Sequence, residues 1–195
     1  MSASPAAGRP RNPDVDRRVA RAAVELFGSQ GWAGFSVEAV ARRAGVGKAS
    51  IYLRWPTKEA LLVGALAERV PVVADVDTGT LRGDLVRLAR QLLDMHLGPS
   101  GRAFERMGLD APQLPGVAER WERHREAQVR AARAMIRRGI DRGEIAADTP
   151  VTLLLDTLCG GVALHVSSTP ERLRPNIDVE DYAERLVTFL LRSVE

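Results

Sequence analysis

Helical period runs through nearly the whole chain, and no stretch alternates apolar and polar residues as a half-buried strand must. That excludes sheet architectures and predicts an all-α fold. The first helix is expected to start at Asn12 as cap with Pro13 in its first turn, where a missing N–H costs nothing. Val15, Val19, Ala22, Ala23, Leu26 and Phe27 then share one face, with Gly28 and Gly31 expected to stop it. Ser36 can cap a second helix carrying Val37, Val40, Ala41 and Ala44, and Glu38 lies in its first turn, where the helix dipole favours an anion. Gly45 ends it, KASIYLRW forms a third, and Pro56 and Thr57 separate that from a fourth beginning at Lys58.

Two short helices joined by a glycine turn make a helix-turn-helix, whose second helix can enter the DNA major groove. A sharp turn needs the left-handed backbone that Gly45 tolerates, while Val46 plugs the gap between helices. Ala41 and Ala44 permit close approach and Ile51 faces the same core. Lys48, Ala49, Ser50 and Tyr52 remain for the outer flank: a cationic donor, a methyl, a hydroxyl and a phenol, all suited to base edges or phosphates. Thr57, Lys58 and the open amides of the following helix form an expected phosphate site, flanked by Arg42 and Arg43.

Charge divides in the same way. Residues 1–60 hold ten basic and five acidic side chains, a net of +5, whereas the rest of the 195 residues hold eighteen and twenty, a net of −2. The basic end therefore suits a polyanion. With 45% hydrophobic residues the chain can bury a full core without cross-links, and Cys159, the lone cysteine, allows no internal disulfide and suits a reducing compartment. The first residues lack the apolar run of an export signal, and no eighteen uninterrupted apolar residues offer a membrane span, so a cytoplasmic protein with no membrane partner is expected.

The run AVARRAGVGKASIYLRWPTKEALL, preceded by AAVELFGSQGWAGFSVEAV, resembles the DNA-binding signature of the tetracycline-repressor family over about fifty residues, Arg17 to Leu66. The resemblance implies that Lys48, Ser50 and Tyr52 contact DNA, with Ala49 and Gly47 beside them, and that Ser36, Arg43 and Lys58 hold its backbone. Gly47 departs from the serine or threonine common in the family, so a cap and a phosphate contact are expected to be missing there. Trp55 replaces the common phenylalanine and is expected in the core. Three parts follow: a flexible arm at 1–12, a helix-turn-helix domain at 13–57, and a larger helical effector-binding and dimerisation domain at 58–195.

In that larger part the fourth helix is expected to stop at Pro71. Thr80 caps a helix with Leu81, Leu85, Leu88, Leu92 and Met95 on one side, closed by Gly98 and Pro99. A short helix from Ala103 to Leu109 lies before Pro112 and Pro115, and the longest runs from Gly116 to Arg138. Asp148 or Thr149 is expected to cap Val151–Ser167, and a last helix from Val179 to Val194 puts Tyr182, Leu186, Phe189 and Leu190 together. The segment VTLLLDTLCGGVALHV is apolar nearly all round, so burial on more than one side is expected. A homodimer in which this helix and the last meet their symmetry mates accounts for it, as the family resemblance also implies.

The resemblance implies a small-molecule effector bound among these helices, and Met95, Phe104, Met107, Trp121, His124 and Gln128 supply soft or aromatic walls with polar handles, whereas His96, also a candidate, lies near a helix end where a structural or exposed role is expected. The expected function is a homodimeric repressor on a palindromic double-stranded operator, released by that effector, with no cofactor and no metal. Two other classes stay open at this point: a helical adaptor for a protein partner, and a small hydrolase using Cys159 and His165. Six residues apart on one helix, those two point in different directions, which is poor geometry for a nucleophile and its base.

Overall fold

The computed structural model describes residues 13–70, 76–110 and 113–192. Among them the chain forms α1 (Pro13–Gly34), α2 (Val37–Ala44), α3 (Lys48–Tyr52), α4 (Lys58–Arg69), α5 (Leu81–Leu97), α6 (Gly101–Asp110), α7 (Pro115–Asp141), α8 (Val151–Ser168) and α9 (Val179–Leu191), with a 3₁₀ helix at Glu171–Asn176 and no strand. The expected Asn12 cap, the arm at 1–12, and the stops at Pro71, Pro112 and Val194 lie outside the described residues.

Several helix starts follow their capping chemistry. Ser36 accepts from the Ala39 amide at 3.1 Å, Thr57 from Ala60 at 3.0 Å and Thr80 from Gly83 at 3.1 Å. Gly45 closes α2 at φ +65° with its amide on the Ala41 and Arg42 carbonyls, which sets the turn into α3. The start of α8 differs from expectation: Pro150 stands at the cap and neither Asp148 nor Thr149 bonds to the helix. Nor does Gly28 stop α1. It is buried mid-helix, where an added Cβ would stand 3.0 Å from the Ala103 amide, so its role is to let α6 pack closely. The break comes at Gly31, φ +64°.

α1 carries the packing of the N-terminal part. Val19, Ala23, Leu26 and Phe27 meet Val40 of α2, Ile51 of α3 and Leu61 and Leu62 of α4 in one buried cluster, while α6 covers another side of α1. The indole of Trp55 packs half-buried over Gly64 of α4. α5 is the core of the larger part. Its Leu81, Leu85, Leu88, Leu92 and Met95 stripe is buried as expected, packed on α6, α7, α8 and α9.

Two helices leave apolar residues uncovered within the single chain. In α8 only Leu154, Leu158, Val162 and Val166 are buried, a single stripe spaced by four, and just 22% of an 18-residue stretch with mean hydropathy 1.4 is covered. Leu153 and Leu164 are 64% and 68% exposed, and by length and composition alone this helix could cross a membrane. In α9 the buried set is Ala183, Val187 and Leu190, whereas Phe189 points away at 69% exposure.

Candidate nucleic-acid interface and effector cavity

α3 is short, and its orientation rests on one side chain. Ile51 is fully buried in the core cluster, with α3 packed on α2, so Gly47, Lys48, Ala49, Tyr52 and Leu53 are left exposed. Ser50 is half-buried and accepts from an Arg54 Nη1 at 3.1 Å, the same nitrogen that donates to the Ser50 carbonyl. Arg54 in turn pairs with Asp16 of α1. The Ser50 hydroxyl is thereby oriented by a residue that pattern reading passed over.

Two of the candidate contact cations, Lys48 and Arg43, are paired within the chain. Lys48 Nζ lies 2.8 Å from Glu38 Oε1, and Arg43 Nε lies 2.7 Å from Glu25 Oε2. The hydrogen bond to Glu38 holds the Lys48 ammonium above its usual pKa, and the same bond lowers that of Glu38. Arg18 and Arg21, one turn apart on α1, join Arg43 and Glu25 around a shallow notch of about 170 Å³ between α1 and α2. That basic notch was legible only as an i, i+3 pair of arginines, because its third member comes from another helix.

Lys58 sits at the N-terminus of α4 but turns inward. Its ammonium donates to the Trp32 carbonyl at 3.1 Å and lies 3.7 Å from the centre of the Trp32 ring. The Thr57 hydroxyl is likewise occupied as the helix cap. Lys58 therefore ties α4 to the end of α1, and Thr57 closes the start of α4 itself. Gly47 caps α3 with no side-chain bond, and an added Cβ would meet nothing within 4 Å.

A cavity of about 670 Å³ opens between α5, α6, α7 and α8. Met95, Phe104, Trp121 and Gln128 line it as expected, and His96 does too. Met107 does not, being wholly buried in the core beside it. His124 stands behind the wall, stacked near Trp121 at 6.3 Å and tilted against Phe104 at 5.0 Å. Cys159, Gly160 and Ala163 of α8 complete the lining, a contribution hidden from pattern reading because it depends on how α8 docks. Arg120, one residue before Trp121, donates to the Leu66, Ala67 and Val70 carbonyls and so closes the C-terminus of α4. Burial, reinforced by the Asp156 charge, pushes the Cys159 thiol up to about 11, so it is protonated at neutral pH, and His165 is stacked on Tyr182 at 3.9 Å. Neither suits nucleophilic catalysis.

An outward polar recognition helix on a helical core defines a helix-turn-helix DNA-binding protein. The family model described as bacterial regulatory proteins, tetR family, matches residues 20–65, and that described as tetracyclin repressor-like, C-terminal domain, matches residues 75–190. The chain belongs to the tetracycline-repressor family: it is a DNA-binding transcriptional regulator and not an enzyme. It is 34% identical over 129 residues to the HTH-type transcriptional regulator AqdR of Rhodococcus erythropolis, a match spanning 66% of this chain and 62% of that one. Its fold is shared with MexZ, a repressor responsible for antibiotic resistance in Pseudomonas aeruginosa, at TM-score 0.75 and 23% identity over 94% of this chain and 96% of that one. FadR of Bacillus subtilis, solved with stearoyl-CoA, shares the fold at TM-score 0.65 and 18% identity over 91% and 98%.

Proposed function

We propose that the chain is a cytoplasmic homodimeric repressor that binds a palindromic operator through α3 and is released when a small molecule occupies the cavity of α5 to α8. The exposed flank of α3 carries the reading: with Ile51 buried, Lys48, Ala49 and Tyr52 are presented for base edges and Ser50 is held by Arg54. Arg43, Arg18 and Arg21 are assigned to phosphates, and Ser36 to the backbone through its place at the start of α2. Lys58 is assigned an indirect role, holding α4 against α1. In this division the arm is 1–12, the DNA-binding domain 13–57 and the effector and dimerisation domain 58–195.

The uncovered apolar faces of α8 and α9 support the dimer, since Leu153, Leu164 and Phe189 stand in water in a single chain. A two-fold pair presents two recognition helices to half-sites about 34–36 Å apart. The effector acts by binding better to the arrangement that fits DNA worse, because equal affinity for both would shift nothing. Arg120 supplies a route, joining the α7 wall of the cavity to α4 and thence to the head. That MexZ is named a repressor and FadR was solved with a ligand supports both halves of the proposal.

Fluorescence anisotropy on labelled duplex DNA tests it. Affinity should fall steeply with salt, since each phosphate contact releases counterions. A shallow salt dependence, or sedimentation as a monomer at micromolar concentration, would contradict it.

A further inference from the structure

The effector reading leaves the chemistry of the ligand open, and the wall of the α5 to α8 cavity constrains it. Leu92, Met95, Phe104 and Trp121 give it apolar and aromatic faces. The Phe104 and Trp121 rings lie 5.4 Å apart and tilted by 53°, and Gly108 brings Trp121 against α6, since an added Cβ there would stand 3.2 Å from the indole. Charge is nearly absent: Glu105 is the one ionised side chain on the lining among the described residues, and no lysine or arginine reaches it. The least satisfied polar group on the lining is His96, which is paired only loosely with Glu105. His96 is only 9% exposed, its Nδ1 makes no hydrogen bond, and Glu105 Oε1 stands 3.7 Å away, beyond hydrogen-bonding range.

We propose, resting on the effector reading above, that this cavity takes an uncharged planar aromatic compound of about two or three rings whose N–H or O–H donates to the His96 imidazole. Flat aromatic faces are matched by Phe104 and Trp121. Desolvating an anion here would leave it facing Glu105 with no counter-ion. Burial holds both His96 and His124 below the usual imidazole range, so neither supplies a positive charge at neutral pH. His96 also borders a second cavity of about 650 Å³, but there Arg102 is already paired with Glu171, and Arg174 donates to the Thr169 carbonyl.

Two probes that share one ring body separate the possibilities. N-Phenyl-1-naphthylamine is neutral and has an N–H, and 8-anilinonaphthalene-1-sulfonate adds one negative charge. Titrated into the full chain, the neutral probe should bind once per protomer and at least about tenfold tighter than the sulfonate, a factor equal to one decade in Kd. Ala163→Leu, which fills the α8 wall, should weaken it by about tenfold or more, and His96→Leu should weaken it severalfold while His96→Gln weakens it less. Equal or tighter sulfonate binding, no binding of the neutral probe, or indifference to both Ala163→Leu and His96→Leu would overturn the ligand class. DNA binding by the unmodified chain, measured in parallel, keeps the two readings apart: its presence with any of those results overturns the ligand class alone, whereas its absence overturns the regulator reading.

Discussion

Lys48, the leading candidate for base contact, is held by Glu38 at 2.8 Å across the turn of the helix-turn-helix. DNA must displace that carboxylate before the ammonium can reach a base or phosphate. Both groups are exposed, so the pair is screened by salt and easily broken. Glu38→Gln should therefore raise affinity for all duplexes severalfold and narrow the gap between operator and random sequence. Lys48→Ala should lower operator affinity about tenfold or more and random-sequence affinity by less. Anisotropy titrations on the two duplexes decide; a uniform loss for Lys48→Ala would make it a phosphate contact only.

Lys58 gives the opposite expectation. Because its ammonium lies over Trp32 and donates to the Trp32 carbonyl, Lys58→Met should cost about 1 kcal/mol of stability from the cation–π contact alone. Its effect on DNA affinity should be smaller than that of Lys48→Ala. Urea unfolding beside anisotropy checks both; unchanged stability with strongly weakened DNA binding would return Lys58 to the phosphate backbone.

Burial, with the Arg120 charge as a lesser cause, lowers the His124 pKa from 6.5, and both ring nitrogens lack partners in the fold. The unfolded chain therefore takes up a proton that the native state refuses, so stability is lost as pH falls below about 6.5. Lowering pH from about 7.5 to about 5, across the ordinary imidazole pKa of ~6.5, should reduce the urea midpoint. His124→Leu should flatten that dependence; an unchanged slope would show that His124 does not carry it.

Arg120 joins the cavity to the head by closing the end of α4 from α7. Arg120→Ala should leave ligand binding within about twofold while shrinking the ratio of DNA affinities with and without ligand toward one. N-Phenyl-1-naphthylamine serves as the ligand in that measurement. An undiminished ratio would mean the coupling travels by other contacts.

What the sequence made legible was local. Ser36, Thr80 and Gly45 act through bonds to residues three or four away, so their roles follow from neighbours in the chain. The apolar spacing that puts Ile51 inward and Lys48 and Tyr52 outward is equally local. Partners at long range were not readable: Arg43 meets Glu25 eighteen residues back, and Lys58 meets Trp32 twenty-six back. His124 was hidden by its charged neighbours Arg123 and Arg125, although helix rotation buries it behind Phe104 and Trp121. Phe189 shares a helical stripe with Leu186, but α9 packs on α5 and α8 through Ala183, Val187 and Leu190, which leaves Phe189 outward.

The most direct measurement is selection of bound fragments from a random duplex pool by the intact protein. The enriched sequences should share a two-fold symmetric element whose half-sites lie about one helical turn, ~34–36 Å, apart, and Lys48→Ala should weaken binding to that element about tenfold or more. Enrichment of an asymmetric element, or none at all, would contradict a paired outward-facing α3 as the reading head.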